Sequence, residues 1–358
     1  MKKLVIFTGG HYNSALEVAK FLKRKGYRIL WLGHKYNLAD NKSLSGEYHD
    51  VKAESIHFLE LKTGRFYKKI NPKQLLLIVS GIFRSFYYLL KYKPSLIYSS
   101  GGFMAVPVVL AGFFLGIPSV THEQTVVAGW ANKAIAPFVK KVFLTYKDKT
   151  NQFPPKKSVV VGMPLNSELL NPKNNVKTKA RVLFITAGKQ GSDIINKMVF
   201  PLIPRLVEDY HVVHQLGANK KLNHQATAQK IKRELGPKSS RYTYANYFYG
   251  KDQATYMRSA NLIICRAGAH TVYEIVALNK KAIIIPISWV SHQEQLLNAQ
   301  YAKSVVDSLI LKEADLTPQS LSAKIVEAES QQDRKLPTRI QNNAVEKIYL
   351  ELEKMALL

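Results

Sequence analysis

The chain has 358 residues, and its 52 lysine and arginine residues against 25 aspartate and glutamate residues give a formal net charge of +27 at pH 7. Its apolar content of 46% argues against a disordered chain. The length predicts two globular domains, because a single core seldom grows past about 250–300 residues. The single cysteine, Cys265, excludes an internal disulfide framework and a cysteine-based zinc site. The charge excess calls for an anionic partner, and nucleic acid, an anionic membrane face and a phosphate-bearing substrate all fit it.

Apolar runs of strand length alternate with amphipathic helical stretches along the whole chain. The runs cover residues 3–7, 28–32, 96–99, 118–121 and 142–145 in the first part, and residues 181–186, 211–215, 262–265 and 282–286 in the second. The first helical stretch carries Ala15, Val18, Ala19 and Leu22 on one face and stops at Gly26. Continuous apolar strands that alternate with helices predict an α/β protein with parallel sheets covered on both faces.

Two stretches raise the question of a membrane segment. The apolar run at residues 4–7 is too short for a secretory signal and is better explained as the first strand. Residues 103–120 carry no charge, but Pro107, Gly112, Gly116 and Pro118 interrupt them. We therefore expect a buried helix followed by a buried strand there.

The segment around residues 162–179 is rich in proline and asparagine and lacks a long apolar run, so we expect an interdomain linker. The predicted organisation is a Rossmann-like domain at residues 1–162, a linker at 163–179, a second Rossmann-like domain at 180–338 and a terminal helix at 339–358. Two such doubly wound domains are expected to face each other across a cleft. Their ligands are expected at the carboxyl ends of the strands.

Polar residues follow the first predicted strand where it turns into a helix. The glycines of Thr8-Gly9-Gly10-His11 allow close backbone approach, and the helix start offers unpaired N–H groups to an anion. His11 is a candidate general base, because histidine titrates near neutral pH and can accept a proton from a hydroxyl nucleophile. A histidine that is simply satisfied by the backbone at the helix start is the alternative.

A second polar group, His122-Glu123-Gln124, directly follows the predicted strand at residues 118–121. This is where doubly wound folds place their sites, so substrate binding or positioning is expected. A polar loop with helix-capping duties is the alternative. A metal site would need further ligands, which the sequence does not offer.

The second half contains a strand, residues 262–265, that runs into Arg266-Ala267-Gly268-Ala269-His270-Thr271. We expect a helix to begin at Val272 and to carry Glu274 in its first turn. Small residues at a helix start let a diphosphate contact backbone N–H groups, with a hydroxyl added by Thr271. Glu274 is suited to accept hydrogen bonds from a ribose diol, although the helix dipole alone explains a glutamate in a first turn.

Two more segments of this half are candidate ligand contacts. The first, Ala187-Gly188-Lys189-Gln190-Gly191-Ser192, repeats the strand-turn-helix arrangement and is a second candidate phosphate loop, in which Lys189 is either a phosphate contact or a solvated lysine. Gln293, Gln295 and Asn298 follow the strand at residues 282–286. Amides offer both donors and an acceptor, which suits a many-hydroxyl ligand such as a sugar, and an exposed helix start is the alternative.

Taken together, these motifs resemble the MurG family of glycosyltransferases over nearly the whole chain. The matching stretches are Thr8-Gly9-Gly10-His11, Gly101-Gly102-Phe103, Leu115-Gly116-Ile117-Pro118, His122-Glu123-Gln124, Ala128-Gly129, Asn132, His214-Gln215-Leu216-Gly217, Arg266-Ala267-Gly268-Ala269, Thr271, Glu274, Gln295 and Asn298-Ala299. Each is short, and their order and spacing make the resemblance specific. It implies a GT-B fold and transfer of N-acetylglucosamine (GlcNAc) from UDP-GlcNAc to undecaprenyl-diphosphate-linked muramoyl pentapeptide in peptidoglycan synthesis.

The resemblance also implies roles for residues. His11 would be the base on the acceptor hydroxyl, with inversion at the anomeric carbon, and Glu123 a second catalytic group. The acceptor would be held by Thr8, Gly9, Gly10, Gly101, Gly102, His122 and Gln124. The donor would be held by Gly188, Lys189, Gln190, Gly191, Arg266, Ala267, Gly268, Ala269, Thr271, Glu274, Gln293, Gln295 and Asn298. Helix termini would stabilise the leaving UDP, so no metal or other cofactor is expected.

Four segments depart from the family pattern. Ile6 and Phe7 stand where the first loop usually has two more glycines, and the second loop reads Ala187-Gly188-Lys189-Gln190-Gly191-Ser192 where Gly-Gly-Ser-Gln-Gly-Ala is usual. The usual Gly-Asn-Pro-Val-Arg segment reads Gly162-Met163-Pro164-Leu165-Asn166, and Gln293-Glu294 replaces the usual Asp-His. Loss of the loop serine puts its phosphate contact in doubt, although Lys189 is a cation that could substitute for it.

Residues 61–122 contain no aspartate or glutamate, and basic residues alternate there with aromatic and aliphatic ones. This pattern suits an interfacial surface on anionic lipid. The resemblance implies that this lipid surface is the cytoplasmic face of the inner membrane. A merely basic, solvated face is the alternative. The residues expected to contact the membrane are Phe66, Lys68, Lys69, Lys73, Leu75, Leu76 and Val79.

Two other functions stay open. A GT-B enzyme with altered loops can use another lipid or glycan acceptor, or act as a UDP-GlcNAc epimerase. A noncatalytic nucleic-acid-binding protein is suggested by the net charge of +27 alone. The sequence contains no recognisable nucleic-acid-binding module, so no nucleic acid partner is expected.

Overall fold

The computed structural model describes residues 3–36, 44–64, 72–148, 150–170, 179–217, 223–288, 293–331 and 343–358. The chain forms two compact units. The first consists of Met1–Leu165 together with Asn342–Leu358, and the second of Asn166–Gln341. Each unit contains one sheet of parallel strands, which confirms the predicted α/β class.

The first unit is built on a seven-stranded sheet of order β3-β2-β1-β4-β5-β6-β7. Its elements are β1 (Leu4–Thr8), α1 (Tyr12–Arg24), β2 (Arg28–Gly33), α2 (Gly46–Ala53), β3 (His57–Glu60), α3 (Pro72–Tyr92), β4 (Leu96–Ser99), α4 (Ala105–Phe114), β5 (Ser119–Glu123), α5 (Trp130–Ile135), β6 (Lys141–Leu144) and β7 (Ser158–Val160). In β1, Leu4 and Ile6 join one buried cluster, whereas Val5 and Phe7 join another. Both faces of the sheet are therefore covered, which explains why the strands are apolar at every position.

The second unit is built on a six-stranded sheet of order β10-β9-β8-β11-β12-β13. Its elements are α6 (Ser167–Leu170), β8 (Arg181–Thr186), α7 (Asp193–Val199), α8 (Ile203–Asp209), β9 (Tyr210–Gln215), α9 (His224–Glu234), β10 (Tyr242–Ala245), α10 (Gly250–Ser259), β11 (Leu262–Cys265), α11 (Ala269–Ala277), β12 (Lys281–Ile284), α12 (Glu294–Val305), β13 (Ser308–Ile310) and α13 (Pro318–Ser330). The last helix, α14 (Ala344–Lys354), belongs to the first unit.

The nine strands expected from apolar runs are present as β1, β2, β4, β5, β6, β8, β9, β11 and β12. The sequence does not predict β3, β7, β10 and β13, which form the edges of the two sheets. These strands have three or four residues and are only partly buried. Since an edge strand packs fewer side chains into a core, it lacks the continuous apolar run by which the central strands are recognised.

Two boundaries differ from the expected organisation. The first unit extends to Leu165, and helix α6 occupies part of the predicted linker, where Leu169 is buried and the Arg258 side chain donates to the carbonyl of Glu168. Residues 171–178 of that linker lie outside the described residues. The terminal helix joins the first unit, because Ile348 and Leu352 of α14 are buried in the cluster that holds Leu22 of α1.

The uncharged stretch at residues 103–120 forms α4 and the start of β5, as expected. Six of the ten residues of α4 are buried, and so is all of β5. Helix α3 is different, because its segment Gln74–Tyr92 is long and apolar enough to cross a membrane by length and composition, and 22% of that window is buried. Helix α3 therefore exposes several large apolar side chains, and Phe114 on α4 and Trp130 on α5 are exposed as well.

Candidate functional site

The carboxyl ends of β1, β4 and β5 lie side by side in the first unit, since Thr8 pairs with Ser99 and Ser99 with Thr121. The loops that leave β1 and β4 are in direct contact, and Gly10 N donates to Gly101 O at 2.8 Å. A Cβ on Gly9, whose φ is +132°, would lie 2.3 Å from Ser100 Oγ. Glycine is therefore required at this position for the two loops to approach.

The second of these loops contacts the start of α5. Gly101 has a φ of +73°, and a Cβ there would lie 2.7 Å from Asn132 Nδ2. Asn132 is buried, and its Oδ1 accepts a hydrogen bond from Thr121 Oγ1 at 2.7 Å. Asn132 therefore packs against Gly101 of this loop while it is hydrogen-bonded to Thr121 of β5.

His11 lies at the N-cap of α1 and its side chain is exposed. The helix receives no side-chain capping hydrogen bond from it, so backbone capping does not occupy the imidazole. Its backbone carbonyl accepts from Gln124 Nε2 at 3.0 Å, and Gln124 is itself buried. Gln124 thus fixes the main chain at His11 and leaves the ring available to a ligand.

His122 is fully buried in the first unit, and its Nε2 lies 3.1 Å from Gly162 O and 3.2 Å from Thr145 Oγ1. Burial lowers the pKa of His122 to about 4, so the ring is neutral at pH 7. A neutral, buried imidazole supplies no charge to a diphosphate. The geometry supports a structural role for His122 more directly than the expected acceptor contact.

Glu123 is 4% exposed, and its carboxylate accepts four hydrogen bonds from the loop that follows it. Oε1 accepts from Thr125 N at 3.0 Å and Thr125 Oγ1 at 2.8 Å, while Oε2 accepts from Gly129 N at 2.9 Å and Asn132 Nδ2 at 3.0 Å. These contacts use the carboxylate to shape the loop from β5 to α5. They favour a positioning role over the catalytic one that the resemblance implies.

In the second unit, a cavity of about 410 Å³ opens at the carboxyl ends of β8 and β11. Its lining residues are Thr186, Ala187, Gly188, Gln190, Gly191, Ser192, Arg266, Gly268, Thr271, Ile287 and Gln295. Seven of the thirteen expected donor residues are among them: Gly188, Gln190, Gly191, Arg266, Gly268, Thr271 and Gln295. The cavity therefore brings together the two predicted phosphate loops and Gln295.

Arg266 is held at this cavity by three partners. Its Nη2 donates to Ser192 Oγ at 2.8 Å, and its Nη1 donates to Ile285 O at 3.2 Å and to Glu313 Oε2 at 2.5 Å. Only 11% of the Arg266 side chain is exposed, and the Glu313 carboxylate compensates its charge. Ser192 ends the predicted phosphate loop, whereas Glu313 is not a predicted site residue. No local sequence signal joins Glu313 to a loop that lies so far from it along the chain.

The amides after β12 hold neighbouring backbone. Gln295, which lines the cavity, accepts through Oε1 from Ile287 N at 3.0 Å, and Asn298, which is buried outside the lining, donates to Ala267 O at 3.1 Å. Gln293 is exposed at the N-cap of α12. Ala269 is the first residue of α11.

Glu274 differs from its predicted place. Helix α11 begins at Ala269 rather than at Val272, so Glu274 lies in the second turn, beyond the helix start. Its carboxylate is 3.1 Å from His270 Nδ1, and 7% of its side chain is exposed. Helix dipole stabilisation, which acts in the first turn, therefore does not account for this glutamate.

Lys189 is the departure from the family loop whose contact matters most. Its ammonium lies over the ring of Tyr247, 5.3 Å from the centroid, and Lys189 is absent from the cavity lining. Burial lowers the pKa of Lys189 to about 7. The lysine therefore contacts an aromatic ring of the neighbouring loop instead of projecting into the cavity.

Among the residues that the structure describes, no group of three or more His, Cys, Asp or Glu side chains is arranged to hold a metal ion. Of the expected membrane contacts, Leu75, Leu76 and Val79 are exposed on α3. Phe66, Lys68 and Lys69 lie outside the described residues, as does the side chain of Lys73.

The chain matches the glycosyltransferase family 28 N-terminal domain over residues 4–144 and the glycosyltransferase family 28 C-terminal domain over residues 182–352. It is 30% identical over 344 residues to a UDP-N-acetylglucosamine--N-acetylmuramyl-(pentapeptide) pyrophosphoryl-undecaprenol N-acetylglucosamine transferase of Clostridium botulinum (strain Alaska E43 / Type E3), covering 92% of this chain and 90% of that protein.

Two solved structures are similar in fold. MurG of Acinetobacter baumannii has a TM-score of 0.66 and 24% identity, over 99% of this chain and 100% of that one. A UDP-GlcNAc 2-epimerase from Neisseria meningitidis has a TM-score of 0.63 and 15% identity, over 99% of this chain and 100% of that one. At these identities the likeness establishes the fold alone, and it confirms the expected GT-B fold.

Proposed function

This chain belongs to the MurG family of family 28 glycosyltransferases, and from that premise we propose that it transfers GlcNAc from UDP-GlcNAc to undecaprenyl-diphosphate-linked muramoyl pentapeptide. The observation that carries the proposal is the 30% identity with the Clostridium botulinum transferase over 92% of this chain. The glycine loops, the Arg266 cavity and the exposed His11 are the groups that this reaction requires, and they supply its chemistry as follows.

The second unit is the proposed donor site. The N-terminus of α11 begins at Ala269 beside Gly268 and Thr271, which line the cavity. Unpaired N–H groups and the helix dipole at such a terminus attract the diphosphate, and they stabilise the charge that develops on UDP as it leaves. Glu274 in the next turn is the proposed acceptor of hydrogen bonds from the ribose diol.

The first unit is the proposed acceptor site, with His11 as general base. The imidazole removes the proton from the sugar hydroxyl while the hydroxyl oxygen bonds to the anomeric carbon of GlcNAc. The bond between that carbon and the diphosphate oxygen breaks on the opposite face, so the configuration inverts and UDP carries away the electron pair. Gly9 and Gly101 hold the two loops in contact, and Gly10 and Gly102, which are not buried, allow the acceptor to approach the backbone beside His11.

Helix α3 is the proposed membrane contact, at the cytoplasmic face of the cell membrane. Leu76 and Phe83 are each 70% exposed, and Leu75 is 52% exposed, whereas Ser85 and Leu89 of the same helix are buried in the unit. A helix that is buried on one face and apolar on the other suits an interfacial position. Basic residues in the same part of the chain would add attraction to anionic lipid.

The test is transfer of radiolabelled GlcNAc from UDP-GlcNAc to lipid I or a short-chain analogue by the full chain. We expect acceptor-dependent formation of a labelled lipid-linked disaccharide. A second incubation without acceptor addresses the alternative chemistry, since a UDP-GlcNAc epimerase would form a new UDP-sugar there. No transfer to lipid I by folded protein, together with transfer to a different lipid, would contradict the proposed acceptor.

A further inference from the structure

Gln215 ends strand β9 in the segment His214-Gln215-Leu216-Gly217, to which the proposed reaction assigns no role. Its side chain is 1% exposed. The amide nitrogen Nε2 donates to Thr186 Oγ1 at 2.9 Å and to Gly188 O at 3.1 Å, and Oε1 accepts from Phe248 N at 3.1 Å. Both amide hydrogens and the amide oxygen of Gln215 are therefore engaged.

These partners belong to two different loops. Thr186 and Gly188 line the cavity, at the end of β8 and in the phosphate loop after it. Phe248 lies after β10, in the segment Tyr247-Phe248-Tyr249, which we call the aromatic segment. Because β9 is the middle strand of the order β10-β9-β8, a side chain at its carboxyl end reaches both loops. Lys189 and Tyr247 also join these two loops, because Lys189 Nζ lies over the Tyr247 ring.

The bond to Gly188 sets the direction of one peptide group. In a planar trans peptide the N–H of the next residue points opposite to the carbonyl, so holding Gly188 O toward β9 turns the N–H of Lys189 away from Gln215. Gly188 has a φ of +72°, a conformation that glycine adopts freely, and its carbonyl accepts two hydrogen bonds, one of 3.3 Å from Gly191 N within the loop and one of 3.1 Å from Gln215 on β9. Loss of the Gln215 bond leaves only the longer bond to oppose a flip of this peptide. A flipped peptide would turn a carbonyl oxygen toward an anion in place of an N–H donor.

We propose that Gln215 is a positioning residue of the donor site, which holds the phosphate loop in the orientation that binds the diphosphate of UDP-GlcNAc and ties that loop to the aromatic segment. The inference rests on the proposed function, because it takes a nucleotide diphosphate as the ligand of the cavity. Gln215 touches no ligand itself and acts through the Gly188–Lys189 peptide and Phe248.

Two substitutions separate the contacts. Gln215→Leu removes all three hydrogen bonds. Gln215→Glu keeps an acceptor for Phe248 N but places a carboxylate oxygen, at pH 8, against the carbonyl of Gly188. The matched control is His211→Leu on the same strand, because His211 Nε2 lies 3.0 Å from Thr243 Oγ1 on β10, toward the amino end of β9. The control therefore removes a side-chain bond between neighbouring strands without affecting the phosphate loop.

The measurement is calorimetric titration of the full chain with UDP-GlcNAc at pH 8, together with steady-state kinetics. We expect the Kd and the KM for UDP-GlcNAc to rise about tenfold in both Gln215 variants, the loss equivalent to one buried hydrogen bond. The KM for the acceptor should not change, and the control should stay within about twofold of the unsubstituted chain. Loss of folded protein would lower the binding stoichiometry while leaving the Kd of the folded fraction unchanged.

Two results would overturn the inference. If the unsubstituted chain binds UDP-GlcNAc and both Gln215 variants keep its Kd, Gln215 does not position the donor site, and the proposed function stands. A Gln215 variant that shows only a lower binding stoichiometry or a lower kcat, with an unchanged Kd, also contradicts the positioning role. If the unsubstituted chain fails to bind UDP-GlcNAc, the result contradicts both the proposed function and the inference that rests on it.

Discussion

The carboxyl edges of the two sheets use similar loops in different ways. In the first unit, His122 and Glu123 at the carboxyl end of β5 are buried and hydrogen-bonded within the unit, whereas the side chain of His11 after β1 is exposed. In the second unit, buried side chains support the loops, as Asn298 does by donating to Ala267 O, and the loops themselves line a cavity of about 410 Å³. A polar motif at a strand end therefore marks either a contact with ligand or the support for one, and in the first unit burial separates His122 and Glu123 from His11.

The largest expected effect belongs to the exposed group of the first unit. His11→Ala should lower kcat by about 10²–10⁴-fold, because it removes the proposed general base. The Kd for UDP-GlcNAc should not change, since the donor cavity lies in the other unit. The matched control is His49→Ala, which removes another exposed imidazole of the first unit. Steady-state kinetics that give the same kcat for His11→Ala and the unsubstituted chain would remove His11 as the base.

Glu123 should behave as a support. Glu123→Ala leaves Thr125 N, Gly129 N and Asn132 Nδ2 without their acceptor, so the free energy of unfolding should fall by about 2–4 kcal/mol. Glu54→Ala, at a partly exposed glutamate of the same unit, should change it by less than about 0.5 kcal/mol. Urea unfolding measures both. A large loss of kcat with unchanged unfolding would instead make Glu123 a catalytic group.

His122 should reveal its burial in the pH dependence of stability. Its pKa is lowered from 6.5 to about 4 in the folded state, so the unfolded chain binds more protons between these values. Stability is therefore lost as the pH falls through this window. As the pH falls from 6.5 to 4, the free energy of unfolding of His122→Gln should decrease by about 2 kcal/mol less than that of the unsubstituted chain. Equal losses in urea unfolding would show that the His122 ring is not shielded, and His49→Gln is the exposed control.

The smallest effect is expected on the surface of α3. Replacing Leu76 and Phe83, each 70% exposed, by Glu should weaken binding to anionic phosphatidylglycerol vesicles about tenfold, since it removes apolar contacts and adds negative charge. Leu350→Glu on α14, where the leucine is 52% exposed, is the matched control. Vesicle cosedimentation measures both variants. Unchanged binding by the α3 variant would place the membrane contact elsewhere.

The central strands and the loops after them could be predicted from the sequence, because buried parallel strands are apolar throughout and their ends are marked by glycines. The edge strands could not, since they lack that run. Helix α11 begins three residues earlier than predicted, which moves Glu274 out of the first turn. The sequence Ala269-His270-Thr271 contains no residue that marks the first position of the helix, so it does not show whether these residues end the loop or begin the helix.

The roles of individual polar residues were harder to predict than their places. Asn132 meets the Glu123 carboxylate nine positions away, whereas Gln215 meets Phe248 thirty-three positions away. Such partners are brought together by packing of the sheet, which local sequence does not encode. The sequence therefore indicates which strand ends carry polar motifs, whereas the hydrogen bonds of the folded chain show which of these side chains support a loop.

The most direct test of the account measures GlcNAc transfer by the unsubstituted chain and by His11→Ala, with radiolabelled UDP-GlcNAc and a short-chain lipid I analogue. The account predicts acceptor-dependent formation of the lipid-linked disaccharide by the unsubstituted chain, and its loss in the His11 variant at unchanged donor affinity. Absence of that product from a folded chain that binds UDP-GlcNAc would contradict the proposed transfer.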